Sequence, residues 1–235
     1  MFPTKTFSLV AALTLVVGTR GTGQQASLDA TNVRLASHPI FAVRMNTSAV
    51  RIDGLLDEAL WRAVPPLSAF TQREPVEGAP ATHATDVRMI ITEDAVVIGA
   101  RLADEASALG ASRRVHSAAA DGALEDYFEV QLDPHPGHLT AIALAVSPAG
   151  LKRSWIVARD GARDESWNLQ WDAATHIDKD GWTVELRIPL SQLHLTAGRE
   201  EWAAQFVRFS YERQETDVYN FSAAKQPVVG TGPAR

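Results

Sequence analysis

The stretch GWTVELRIPLSQL at 181–193 decides the fold. Trp182, Val184, Leu186 and Ile188 fall on one face, and Thr183, Glu185 and Arg187 on the other. That two-residue repeat is the signature of a β-strand, since a helix would space its apolar residues three and four apart. Pro189 ends the strand because it has no N–H to give a ladder, and 191–193 suit a single helical turn.

The same alternation recurs outward from this segment. Downstream, 202–211 resume an extended pattern whose apolar phase shifts around Phe206 and Val207, which predicts a β-bulge there. Upstream, 151–157 return through Trp155 and Val157 after the apolar run 139–146 and the turn Ser147, Pro148, Ala149, Gly150, which reads as a central hairpin. Residues 126–133 alternate Phe128, Val130 and Leu132 with Tyr127, Glu129, Gln131 and Asp133 before a turn at 134–137. Val87, Met89 and Ile91, then Val96, Ile98, Ala100 and Leu102, make a second hairpin across 85–103. Prolines at 65, 66, 75 and 80 mark 65–84 as loops or edge segments, and only 58–63 and 105–111 suit helical turns. Many short strands without long intervening helices predict an all-β antiparallel sandwich, immunoglobulin-like or jelly-roll-like, with one or two short helical turns.

Composition narrows the function. The chain has 235 residues, 22 basic and 28 acidic side chains, and no cysteine. No Lys/Arg block is long enough to follow a phosphate backbone, so nucleic acid is not an expected partner. Without cysteine there is no disulfide, thiolate metal site or cysteine nucleophile. Lys5, the apolar run 7–17 and the small residues beyond it have the shape of a secretory signal, too short to span a bilayer as a helix. The organisation expected is a signal peptide at 1–26, a lead-in at 27–47, a sandwich domain at 48–225 and a loose end at 226–235, in a protein that is secreted or periplasmic.

A series of short motifs in fixed order carries a resemblance. These are RIDGLLDEALWRAV at 51–64, the hairpin ending at Ala103 and Asp104, EDYFEVQLD at 125–133 and SPAG at 147–150. WNLQWDAA at 167–174, GWTVELRIPLSQL at 181–193 and EWAAQFVRFSYERQE at 201–215 follow. Together they resemble the family 9 carbohydrate-binding modules, in the subgroup at the N-terminus of bacterial outer-membrane barrel proteins. The resemblance spans 48–222 and implies a β-sandwich and a glycan partner, with an outer-membrane barrel as a further partner in a longer gene product. Gly54 and Gly181 read as turn glycines, and Trp61 and Trp182 as core anchors. Sugar-binding relatives sandwich the sugar between two tryptophans, one just before the EDYFEVQLD-type strand and one near the C-terminus. Ala123 and Leu124 stand at the first position, and no tryptophan follows Trp202.

A sugar site needs flat aromatic faces and planar polar groups. Trp167 and Trp171, in a segment with Arg163, Asp164, Glu165 and Asn168, are the aromatic candidates, with core packing as the alternative, and Glu125 and Asp126 are the polar ones. Glu125, Asp126, Glu129 and Asp133 also form an acidic cluster of the kind a glycosidase draws on, although solvated strand carboxylates are commoner. Calcium is a candidate ion through Asp53, Asp57, Asp104, Asp126 and Asp133. His135 and His138 read as turn residues rather than metal ligands. Related sandwiches that hold haem use an axial methionine, for which only Met45 and Met89 stand in the mature chain. The reading is thus a non-catalytic carbohydrate-binding module without a required cofactor. Its alternatives are a scaffold that has lost its sugar site and, more remotely, a haem-binding electron-transfer sandwich.

Overall fold

The structure, a computed structural model, describes residues 42–44, 50–105, 125–133, 140–158, 162–167, 169–193, 202–219 and 233–234, all within a compact unit spanning 35–235. In chain order these form β1 (Val43–Arg44), α1 (Ala59–Ala63), β2 (Phe70–Glu74), β3 (Thr85–Ile91), β4 (Ala95–Ala103), β5 (Tyr127–Asp133) and β6 (Thr140–Val146). They continue with β7 (Lys152–Ala158), β8 (Arg163–Asp164), β9 (Asp172–Asp178), β10 (Gly181–Pro189), a 3-10 turn (Leu190–Gln192), β11 (Trp202–Ser210), β12 (Glu215–Tyr219) and β13 (Pro233–Ala234). The fold is a β-sandwich. The first sheet has the order β1-β3-β4-β10-β9, and the second β2-β12-β11-β5-β6-β7-β8 with β13 also against β11. Pairing is antiparallel except between β1 and β3.

Alternation fills the space between the sheets. Met89, Ile98, Leu102, Trp182 and Leu186 from the first sheet meet Phe128, Val130, Leu144 and Phe206 from the second in one buried cluster. Both hairpins read from the sequence are present, as β3–β4 and β6–β7. The 3-10 turn follows Pro189, and its Leu193 N–H donates to the Leu190 carbonyl. The second helical segment, the turn at 134–137, His135, His138 and Met45 lie outside the described residues.

One expectation is corrected. β11 runs against β5 in unbroken register from Ala203 opposite Asp133 to Phe209 opposite Tyr127, so there is no bulge at Phe206 and Val207. The apparent phase shift has two causes. Arg208 points inward, buried, and donates to the Ala103 carbonyl at 2.7 Å and to Asp104 at 3.0 Å. Val207, on the opposite face, is buried as well. The irregularity in register lies instead between Thr216 and Asp217, where β12 meets β2.

The polar face of β10 is not wetted. Glu185 is fully buried beneath the segment that carries α1. Its carboxylate accepts the backbone N–H of Asp53 at 2.9 Å, that of Gly54 at 2.8 Å and the indole N–H of Trp61 at 3.0 Å. Burial pushes its pKa up, and those three donors oppose the shift. Gly54 takes φ +85° in the turn, and a Cβ there would lie 2.6 Å from the Thr175 carbonyl carbon. Gly181 likewise takes φ +142° at the start of β10. Gly99, the β4 partner of Glu185, leaves room for Leu56 and the Trp61 ring, which a Cβ would meet at 2.7 and 3.0 Å. Trp61 and Val64 then pack on Ile90 and Val97, closing the outer face of the first sheet.

Removing the acceptor strands three donors. Glu185→Ala is expected to cost about 3 kcal/mol or more in urea unfolding, and Trp61→Phe about 1–2 kcal/mol. The double substitution should cost less than the two single losses added together. Additive losses, or single losses below about 0.5 kcal/mol, would contradict this anchoring role.

Candidate functional site

The outer face of the second sheet differs from that of the first. Because Phe128, Val130 and Leu132 of β5 turn inward, Tyr127, Glu129 and Gln131 turn outward. On β6 the inward residues are Ile142, Leu144 and Val146, so the outward ones are Ala141, Ala143 and Ala145. Trp155 of β7 stands opposite Ala143, which stands opposite Gln131. Arg153 stands opposite Ala145, which stands opposite Glu129. Alanine between two rows of long side chains makes a trough two strand spacings, about 9.5 Å, wide.

The resulting groove has a volume of about 290 Å³. Tyr127 and Phe209 close one end with stacked rings, 5.2 Å between centroids and 26° between planes. Trp155 walls the β7 side with the Arg163 guanidinium 4.7 Å over its ring, a cation–π contact. Arg153, on the same rim, pairs with Glu165 at 3.0 Å. Across the floor Glu129 is buried and accepts from the Gln131 amide at 2.5 Å. Burial pushes the Glu129 pKa up, against the opposing effects of Gln131, Arg163 and Arg73. The Trp155 indole N–H and the Gln131 carbonyl oxygen are both buried and have no hydrogen-bond partner in the protein. A buried polar group without a partner is costly, and both of these atoms are closed off from solvent.

Of the residues singled out from the sequence, Glu125 and Glu129 line this groove. Asp126 is buried and accepts the Tyr211 N–H at 2.7 Å. Trp171 belongs to the core between the sheets, with the Lys152 ammonium 5.0 Å from its ring centroid, and Trp167 packs half-buried against that core. The aromatic groups of the groove are Tyr127, Trp155 and Phe209. The signal that marks them is the alternating alanines of β6, against which Trp155 and Tyr127 pack on the outer face. Glu125 and Glu129 are four residues apart, about 13 Å of extended chain, a spacing that does not by itself give the roughly 5–9.5 Å separation of a glycosidase pair.

Among the described residues no three His, Asp or Glu side chains come together as a metal would need. Asp53 pairs with Arg51, and Asp104 with Arg208. Met89 is fully buried in the core.

No family profile matches the chain, and no curated protein sequence matches it. Solved structures do. A family 9 carbohydrate-binding module from Caldicellulosiruptor kristjanssonii in complex with cellotriose superposes with TM-score 0.57 at 16% identity, over 84% of this chain and 93% of that one. The corresponding glucose complex gives 0.56 at 17% identity, over 81% and 91%. A proposed carbohydrate-binding protein from Bacteroides uniformis gives 0.61 at 10% identity, over 85% and 100%. The chain therefore shares the fold of family 9 carbohydrate-binding modules.

A second polar cluster lies beside Arg208. Glu215 accepts from the N–H and hydroxyl of Thr82 at 2.8 and 2.6 Å. Burial alone would raise its pKa, but the two Thr82 bonds, with Asp217 and Arg208, hold it below the usual value. Asp217 is pushed up to about 7 by burial, by the charge of Glu215 and by the proton it shares with Glu215. Asp126 is pushed up to about 6, chiefly by burial.

Both folded pKa values exceed the unfolded value of about 3.9, so the folded chain holds protons that the unfolded chain releases. The stabilisation is complete below about pH 4 and is lost as pH rises through 6 and 7. Thermal unfolding is expected at higher temperature at pH 5.5 than at pH 8, and Asp217→Asn should remove much of that difference. A midpoint that rises between pH 5.5 and pH 8 would contradict this reading.

Proposed function

We propose that the chain is a non-catalytic carbohydrate-binding module whose ligand lies in the groove over Ala145. One observation carries this reading: the aromatic rings of Tyr127, Trp155 and Phe209 and the guanidiniums of Arg153 and Arg163 converge on one groove over Ala145. The exposed parts of Tyr127 and Phe209 offer C–H-stacking surface for a pyranose, while the exposed Arg163 guanidinium at the rim offers N–H donors for its hydroxyls. The shared fold with modules solved in complex with cellotriose and with glucose supports it. In this proposal the N-terminal segment 1–26 exports the protein to the periplasm or beyond, where it serves glycan breakdown without a required cofactor.

A second reading is favoured by the absence of tryptophan at 123–124 and beyond 202. In it the sandwich is an interaction domain of an outer-membrane barrel protein that has lost sugar binding.

Titration calorimetry against a panel of glucose, cellotriose and other oligosaccharides, with and without calcium, separates the two. Binding to at least one sugar is expected, weakened roughly 5-fold by Tyr127→Ala. The core substitution Trp171→Phe should leave it within about twofold. No binding by the unmutated protein under any of these conditions would overturn the first reading in favour of the second.

A further inference from the structure

The groove is polarised. Its carboxyls, Glu125 and Glu129, stand on the β5 side, and its guanidiniums, Arg153 and Arg163, on the β7–β8 side. Three of the four are already committed. Glu129 is buried and hydrogen-bonded by Gln131, Glu125 is buried and engaged, and Arg153 is paired with Glu165. Arg163 is exposed and, among the described residues, forms no close ion pair, although its charge acts on the Glu129 carboxyl. Stacking on Trp155 holds it at the rim, where it keeps its charge and its fork of N–H donors.

Resting on the reading that this groove binds a sugar, we infer that it selects a sugar unit bearing an acidic substituent, held by the Arg163 guanidinium. Arginine takes a carboxylate or a sulfate through two parallel hydrogen bonds, and fixing the ring plane on an aromatic face leaves less freedom to lose on binding. The rest of the same unit then faces the Tyr127 and Phe209 rings.

Calorimetric titration of the full chain at low and high salt with glucose, glucuronate, glucose 6-sulfate and glucosamine tests the inference. At least one acidic sugar should bind about tenfold or more tighter than glucose, with an advantage that shrinks as salt rises. Whichever of glucuronate and the sulfate ester binds tighter identifies the acid. Arg163→Gln should bring the acidic sugars to the level of glucose, while Arg213→Gln, at a surface pair with Glu105, should leave the selectivity intact. Glucose or glucosamine binding as tightly as both acidic sugars would overturn the inference and leave sugar binding standing. Failure of every sugar to bind would overturn both.

Discussion

A single buried carboxylate closes one outer face of the sandwich. Glu185, on the outer side of the first sheet, binds two backbone N–H groups of the Asp53–Gly54 turn and the Trp61 indole. Those bonds hold the segment 50–64 against Ile90 and Val97 and cover that sheet with apolar side chains. The contact is possible because Gly99, next to Glu185 in the ladder, has no side chain to keep the indole away. With one outer face closed by the chain itself, the groove over β5, β6 and β7 lies on the other sheet.

That groove follows from the same two-residue period that builds the core. Every second residue of β6 is branched and faces inward, and the intervening three are alanines. The floor is low because of those alanines, and the flanking strands supply the walls. The chemistry of the walls is distinct, with carboxyls on β5 and guanidiniums beyond Trp155. Burial keeps the acids quiet and leaves the outermost arginine as the exposed charge of the site.

Much of the fold was readable from the sequence because strand periodicity is a local property. β10, both hairpins, the helical turn at Trp61 and the turn at Gly54 all follow from residues close together in the chain. Non-local pairing was harder to read. Arg208 looks like an interruption of the apolar phase until its partners Ala103 and Asp104, about a hundred residues away, are known. The groove was hidden for the same reason. Tyr127, Trp155 and Phe209 are on three strands that meet only when β11, β5, β6 and β7 align. Trp167 and Trp171 stand out in a polar stretch, yet both pack toward the core. Glu125 was found because its acidic neighbourhood is contiguous.

The six tryptophans provide separate reporters, since each contributes one indole N–H resonance to a proton–nitrogen spectrum. Addition of a bound sugar should move the Trp155 signal most, as its indole lines the groove, and leave those of Trp61 and Trp182 in place. A sugar that binds while shifting Trp167 or Trp171 and leaving Trp155 unmoved would contradict the groove as the ligand site.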